Sequence, residues 1–217
     1  MKKIRFGIGG VLMIAAMAIS DRGLVIVVYC LAALLHELGH IIAAGLLKVR
    51  IEEIRLGFSG VRIVTDSALT SYKNEIILAA AGPLMNFLSL SFSLAIFYAR
   101  GIRAEEMLRC ADSFLKGESE STLGMLGFFA LSSLIQAVMN LLPVKTFDGG
   151  RILYCSVASL ISQGAAERSN ELCSALVAWL LWTVALYLML RISSGLGIFV
   201  FAACIFGGVI MQRNGEI

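Results

Sequence analysis

The chain has 217 residues, 59% of them hydrophobic and 15% charged, with a mean hydropathy of +0.87; soluble globular domains run nearer half apolar and about a quarter charged. That balance excludes an ordinary water-soluble domain and points to an integral protein of a lipid bilayer. The net charge of +3 is small and unevenly placed, and it gives no argument for a nucleic-acid partner.

Crossing the hydrocarbon core as a helix takes about 20 apolar residues. The first stretch, Phe6–Ser20, is short, but Lys2, Lys3 and Arg5 in front of it can snorkel to the interface. The alternative for this segment is a cleaved signal peptide ending near Ala16-Met17-Ala18. Gly23–Leu47 is a full span. Residues 51–65, IEEIRLGFSGVRIVT, alternate apolar and polar around Ser59-Gly60 and predict a short β-hairpin at the membrane face. Ile76–Ala99 and Ser121–Val144 are the next spans, separated by polar residues 101–120, and Leu172–Leu190 and Ile192–Met211 close the series. The expected fold is therefore an all-α polytopic membrane protein of about six transmembrane helices, forming one domain over 1–217, with its core in 23–153 and C-terminal helices in 171–211.

With the N-terminus in the cytoplasm, the inner segments hold Lys2, Lys3, Arg5, Lys48, Arg50, Arg55, Arg62, Lys73, Lys145, Arg151, Arg168 and Arg213, 12 of the 18 basic residues. Such a bias sets orientation in multi-pass proteins. The five cysteines form no CxxC pair and read as small buried hydrophobes.

Both histidines of the chain lie in LLHELGHII, Leu34 to Ile42. On a helix, positions i and i+4 share a face, so His36 and His40 can reach one metal ion while Glu37 stands beside them as a base. Charged and ionisable groups are costly inside a membrane, which makes the stretch a functional site by default. Catalytic zinc takes three protein ligands and keeps one position open. No third histidine exists, so the remaining ligand is expected to be a carboxylate near the cytoplasmic end of another helix. Asp148, in MNLLPVKTFDGGRIL, is the candidate. Gly149 and Gly150 behind it permit a tight turn and a close backbone approach. Asn140, at the other end of that motif, can donate its amide to a developing oxyanion. In AAAGPLMNF, Ala79 to Phe87, Pro83 frees a backbone carbonyl and Asn86 brings an amide into the membrane; the pair reads either as helix packing or as a hold on substrate backbone.

HELGH, GPLMN and NLLP…DGG, in that order on a hydrophobic chain, resemble the site-2 protease family of intramembrane zinc metalloproteases. The resemblance covers roughly residues 23–153 and is nearest to the bacterial branch of stage IV sporulation protein FB, with neither a PDZ nor a nucleotide-sensing domain in this sequence. It implies one zinc per chain, held by His36, His40 and Asp148, with Glu37 as catalytic base and Asn140 near the scissile peptide. Thr146 and Phe147 stand where family members often carry a proline and an aliphatic residue, a departure that bears on the local loop.

The implied reaction is hydrolysis of a peptide bond in or beside the membrane. Its substrate class would be a membrane-tethered transcription regulator, a sigma-factor precursor or an anti-sigma factor, with an inhibitory membrane partner as a further expectation. The implied location is a bacterial cell membrane, with the site towards the cytoplasm. A helical substrate must unwind before attack, and a strand edge can receive it; Leu56 and Phe58 of the 54–63 hairpin are the expected substrate contacts, unless the hairpin is a simple surface anchor. Two rival readings remain: a metal-ion transporter using the same residues, and an inactive membrane scaffold. Within proteases, Glu167 and Glu171 are the alternatives to Asp148 as third ligand.

Overall fold

The computed structural model describes residues 3–6, 23–49, 51–57, 60–65 and 71–191, and the backbone alone in 3–6, 51–57, 60–65 and 188–191. The chain forms two compact units, Met1–Met139 and Asn140–Ile217. Of the spans expected from sequence, Ile192–Met211 and all of Phe6–Ser20 except Phe6 lie outside the described residues.

The first unit opens with strand β1 (Lys3–Phe6), followed by helix α1 (Gly23–Leu46), strands β2 (Ile51–Gly57) and β3 (Gly60–Thr65), and helices α2 (Tyr72–Ala99), α3 (Ala104–Lys116) and α4 (Thr122–Leu141). The last two residues of α4 belong to the second unit, with α5 (Asp148–Leu160) and α6 (Gln163–Arg191). Of these helices, α1, α2, α4 and residues 163–187 of α6 are long and apolar enough to cross a membrane.

The composition of α1 is inverted relative to a helix in water. Its buried face is small and polar, Val28, Ala32, His36, Gly39, His40, Ala43 and Ala44, while Leu24, Val27, Leu31, Leu34, Leu38 and Ile41 are exposed. Lipid tails are as apolar as leucine, so large apolar side chains gain little by turning inward; small residues there let backbones approach. Against α2, Ala43, Ala44 and Leu78 form a buried cluster. Gly39 lies so close to the Ala81 carbonyl that any Cβ there would clash.

Helix α2 begins at Tyr72, earlier than the apolar run alone suggests. Ser71 caps it, its side chain accepting from the Asn74 N–H at 3.4 Å, and Glu75 sits in the first turn, where the helix dipole favours an acid. Helix α3 turns Met107, Ala111 and Phe114 inward and carries the exposed i,i+4 pairs Glu105–Arg109 and Asp112–Lys116 outward. Met107 joins Phe97 of α2 and Ala130 of α4 in the unit's second cluster.

The sheet has order β1-β2-β3. β1 and β2 are parallel with Phe6 opposite Leu56, and β2 and β3 are antiparallel with Leu56 opposite Val61. β2 is therefore the central strand. In the second unit α5 packs with α6. The Lys145 N–H bonds the Ser174 hydroxyl at 2.9 Å, tying the loop before α5 to α6. At about 1.5 Å per residue, the 29 residues of α6 extend well beyond an ~30 Å hydrocarbon layer, which leaves room outside it for the polar start QGAAERSNE.

Candidate metal centre

His36 and His40 are buried at 5% and 9% exposure on the face of α1 that packs against α2. Their rings meet edge to face, with centroids 4.9 Å apart and planes at 81°, and the two Nε2 atoms converge to 3.2 Å. Two imidazole nitrogens bound at about 2.0–2.1 Å to one tetrahedral zinc stand roughly 3.3 Å apart, so the separation fits a shared ion.

The far side of each ring is held by α2. The Nδ1 of His40 lies 2.7 Å from the Leu78 carbonyl, which can only accept. His40 therefore carries a proton on Nδ1, the nitrogen that metal-ligating histidines commonly turn to a carbonyl while Nε2 faces the metal. Pro83 lacks the N–H that would bond the Ala79 carbonyl, so the α2 ladder is open one residue from Leu78. The Nδ1 of His36 lies 3.1 Å from the Asn86 amide nitrogen.

Gly82 faces the convergence point. A Cβ built there would fall 2.6 Å from His36 Nε2 and closer still to His40 Nε2. The glycine thus leaves open the space into which both nitrogens look. The sequence signal for Gly82 is a glycine within AAAGP, where the neighbouring alanines already allow close helix approach.

Glu37 follows His36 on α1 and is half-buried. Glu75, buried at 7% in the first turn of α2, is a second carboxylate within a candidate spanning helix, just before the apolar run that begins at Ile76.

In the second unit, Asp148 is the first residue of α5 and half-buried, after an extended Phe147 at φ −103°, ψ 164°. Phe147 supplies no side-chain cap, so Asp148 is not an N-cap; it sits at the first helical position, favourable for an acid. The two glycines do not make the expected turn. Both are helical, and their role is close approach: a Cβ on Gly149 would strike the Leu141 and Leu142 carbonyls, and one on Gly150 the Val144 carbonyl. The loop carrying Pro143, Thr146 and Phe147 thereby lies against the start of α5. Asn140 is half-buried in the last turn of α4.

Of the residues expected to touch substrate, Pro83 and Asn86 are each less than 2% exposed, with Asn86 against His36. Leu56 lies on the central strand, its backbone flanked by β1 and β3; strand addition there is blocked, and β3 is the edge of the hairpin that pairs on one side among the described residues. Phe58 lies outside the described residues.

The profile of Peptidase family M50 matches residues 23–184. Among solved structures, the chain is similar to the Site-2 Protease from Methanocaldococcus jannaschii, with a TM-score of 0.61 and 20% identity over 96% of this chain and 89% of that one, a likeness of fold. No curated protein matches the chain significantly.

Proposed function

We propose, for a chain that belongs to Peptidase family M50 and is a metalloprotease of the site-2 type, that it hydrolyses peptide bonds within or beside the membrane with one zinc held by His36, His40 and Asp148. The observation that carries this reading is the pair of Nε2 atoms 3.2 Å apart over Gly82. Two imidazole nitrogens and a carboxylate oxygen are a donor set that catalytic zinc takes, with a fourth position left for water or substrate.

When bound, zinc would supply Lewis-acid polarisation of the scissile carbonyl and acidify the attacking water to a pKa of about 7. Glu37 takes the proton from that water and returns it to the leaving amine. Asn140 donates its amide to the carbonyl oxygen as negative charge develops there. His40 is held in its ligating tautomer by the Leu78 carbonyl.

The excess of basic residues in the segments on the site's side of the membrane supports a cytoplasmic orientation. The motifs HELGH, GPLMN and NLLP…DGG support the family, and the series of about six apparent spanning helices favours the branch of stage IV sporulation protein FB, and with it a bacterial membrane and a membrane-tethered transcription regulator as substrate.

The test is metal removal. The purified chain, reconstituted in liposomes with a membrane-tethered peptide, should cleave it, lose cleavage on treatment with a zinc chelator, and regain it on adding zinc back. Cleavage that persists after the chelator has stripped all bound metal would refute the reading.

A further inference from the structure

We propose that Asn86 is a positioning residue for His36, an amide that serves both tautomers of that histidine and turns its carbonyl oxygen to Nδ1–H when metal is bound. The inference rests on the zinc reading above and concerns a residue that touches neither the ion nor the peptide.

Asn86 is buried to 0% exposure, with its amide nitrogen 3.1 Å from His36 Nδ1, and its Oδ1 is buried without a hydrogen-bond partner. A buried amide oxygen left unpaired costs about 1–3 kcal/mol, which calls for an explanation.

In the orientation described, the Asn86 N–H donates to His36 Nδ1. The His36 proton then sits on Nε2 and points at His40 Nε2, 3.2 Å away. The Nδ1–H of His40 in turn donates to the Leu78 carbonyl. That arrangement places a proton where His36 needs a lone pair. To ligate through Nε2, His36 must carry its proton on Nδ1, and the group facing Nδ1 must then accept. Rotating the Asn86 amide by half a turn brings the unpaired Oδ1 into that position with no change of shape. Leucine is close in size and can do neither. Aspartate accepts only, and so suits the loaded tautomer alone.

The experiment measures zinc affinity by competition with a chromogenic chelator, on the full chain in detergent, for wild type, Asn86→Leu and Asn86→Asp. Loss of an outer-shell partner typically weakens metal binding by about 10- to 100-fold. The expected result is a loss of that size for Asn86→Leu and near-wild-type or tighter binding for Asn86→Asp. Leu binding zinc as well as wild type, or Asp failing as badly as Leu, would overturn the assignment. Should the Asp chain not fold, judged by gel filtration and circular dichroism, the pair Asn86→Ser and Asn86→Ala decides. Serine binding zinc several-fold more tightly than alanine supports a hydrogen bond to His36, and equal affinities overturn it. Wild type that takes up no zinc would instead strike at the metal site itself, which keeps the two failures distinct.

Discussion

Glu37→Gln leaves zinc bound and removes cleavage. The side chain keeps its length and its place on α1, and the donor set does not include it, so metal content should match wild type. An amide cannot take a proton at neutral pH. General acid–base catalysis is worth about 100- to 10,000-fold, and Glu37 is asked to act twice, first on the water and then on the leaving amine. The expected loss is therefore at the upper end, about 1,000- to 10,000-fold, or roughly 4–5.5 kcal/mol of barrier. Cleavage rates and zinc content on one preparation check it. A variant that lost both together would make Glu37 part of the metal's own environment, and one that kept both would remove it from the reaction.

Gly82→Ala should give the reverse pattern in its cause: a folded chain that no longer binds zinc. A single methyl enters the space shared by the two Nε2 atoms, 2.6 Å from that of His36. To accept it, the rings must swing away or α1 and α2 must part. Parting would disturb the Gly39–Ala81 contact and the Ala43–Ala44–Leu78 cluster. Overpacking of this kind typically costs about 1–3 kcal/mol of stability, which a stable chain survives, whereas a metal site displaced by about 1 Å does not function. Zinc affinity should fall by about two orders of magnitude or more. Gly45→Ala is the matched control, because nothing lies within 4 Å of a Cβ at that position. It should bind zinc normally and gain a few tenths of a kcal/mol to about 1 kcal/mol from the better helix former. Zinc measurements on both chains, beside their melting temperatures, separate the site from the helix; normal zinc in Gly82→Ala would mean the ion does not sit over that glycine.

The residues of the candidate metal centre stand out in the sequence where chemistry is local. HELGH places two imidazoles one helical turn apart whatever surrounds it, and the spans α1, α2 and α4 follow from hydropathy because a bilayer selects on length and apolarity. What escaped depends on partners distant in sequence. That Gly82 looks at both histidines is fixed by how α2 lies against α1, and Asn86 reads equally as packing or as a substrate contact until His36 is seen beside it. The strand Lys3–Phe6 carried no signal of its own. Four residues rich in charge read as the flank of a span, and only pairing with residues 53–56 makes them a strand and β2 a central one. Helix α5 was hidden for a different reason. At 13 residues it is too short to cross a membrane, and it follows Pro143 in a segment that hydropathy assigns to a loop. The start of α6 was missed likewise, since its polar residues are helical without being membranous.

The most direct test of a His-His-Asp zinc site is the zinc content per chain of wild type and Asp148→Ala, purified side by side in mild detergent and measured by elemental analysis. The expected result is near one zinc in wild type and little in the variant. No zinc in wild type after reloading with the metal would contradict the site as a whole. Full zinc in Asp148→Ala would contradict its third ligand and turn the search to Glu167, Glu171 and Glu75.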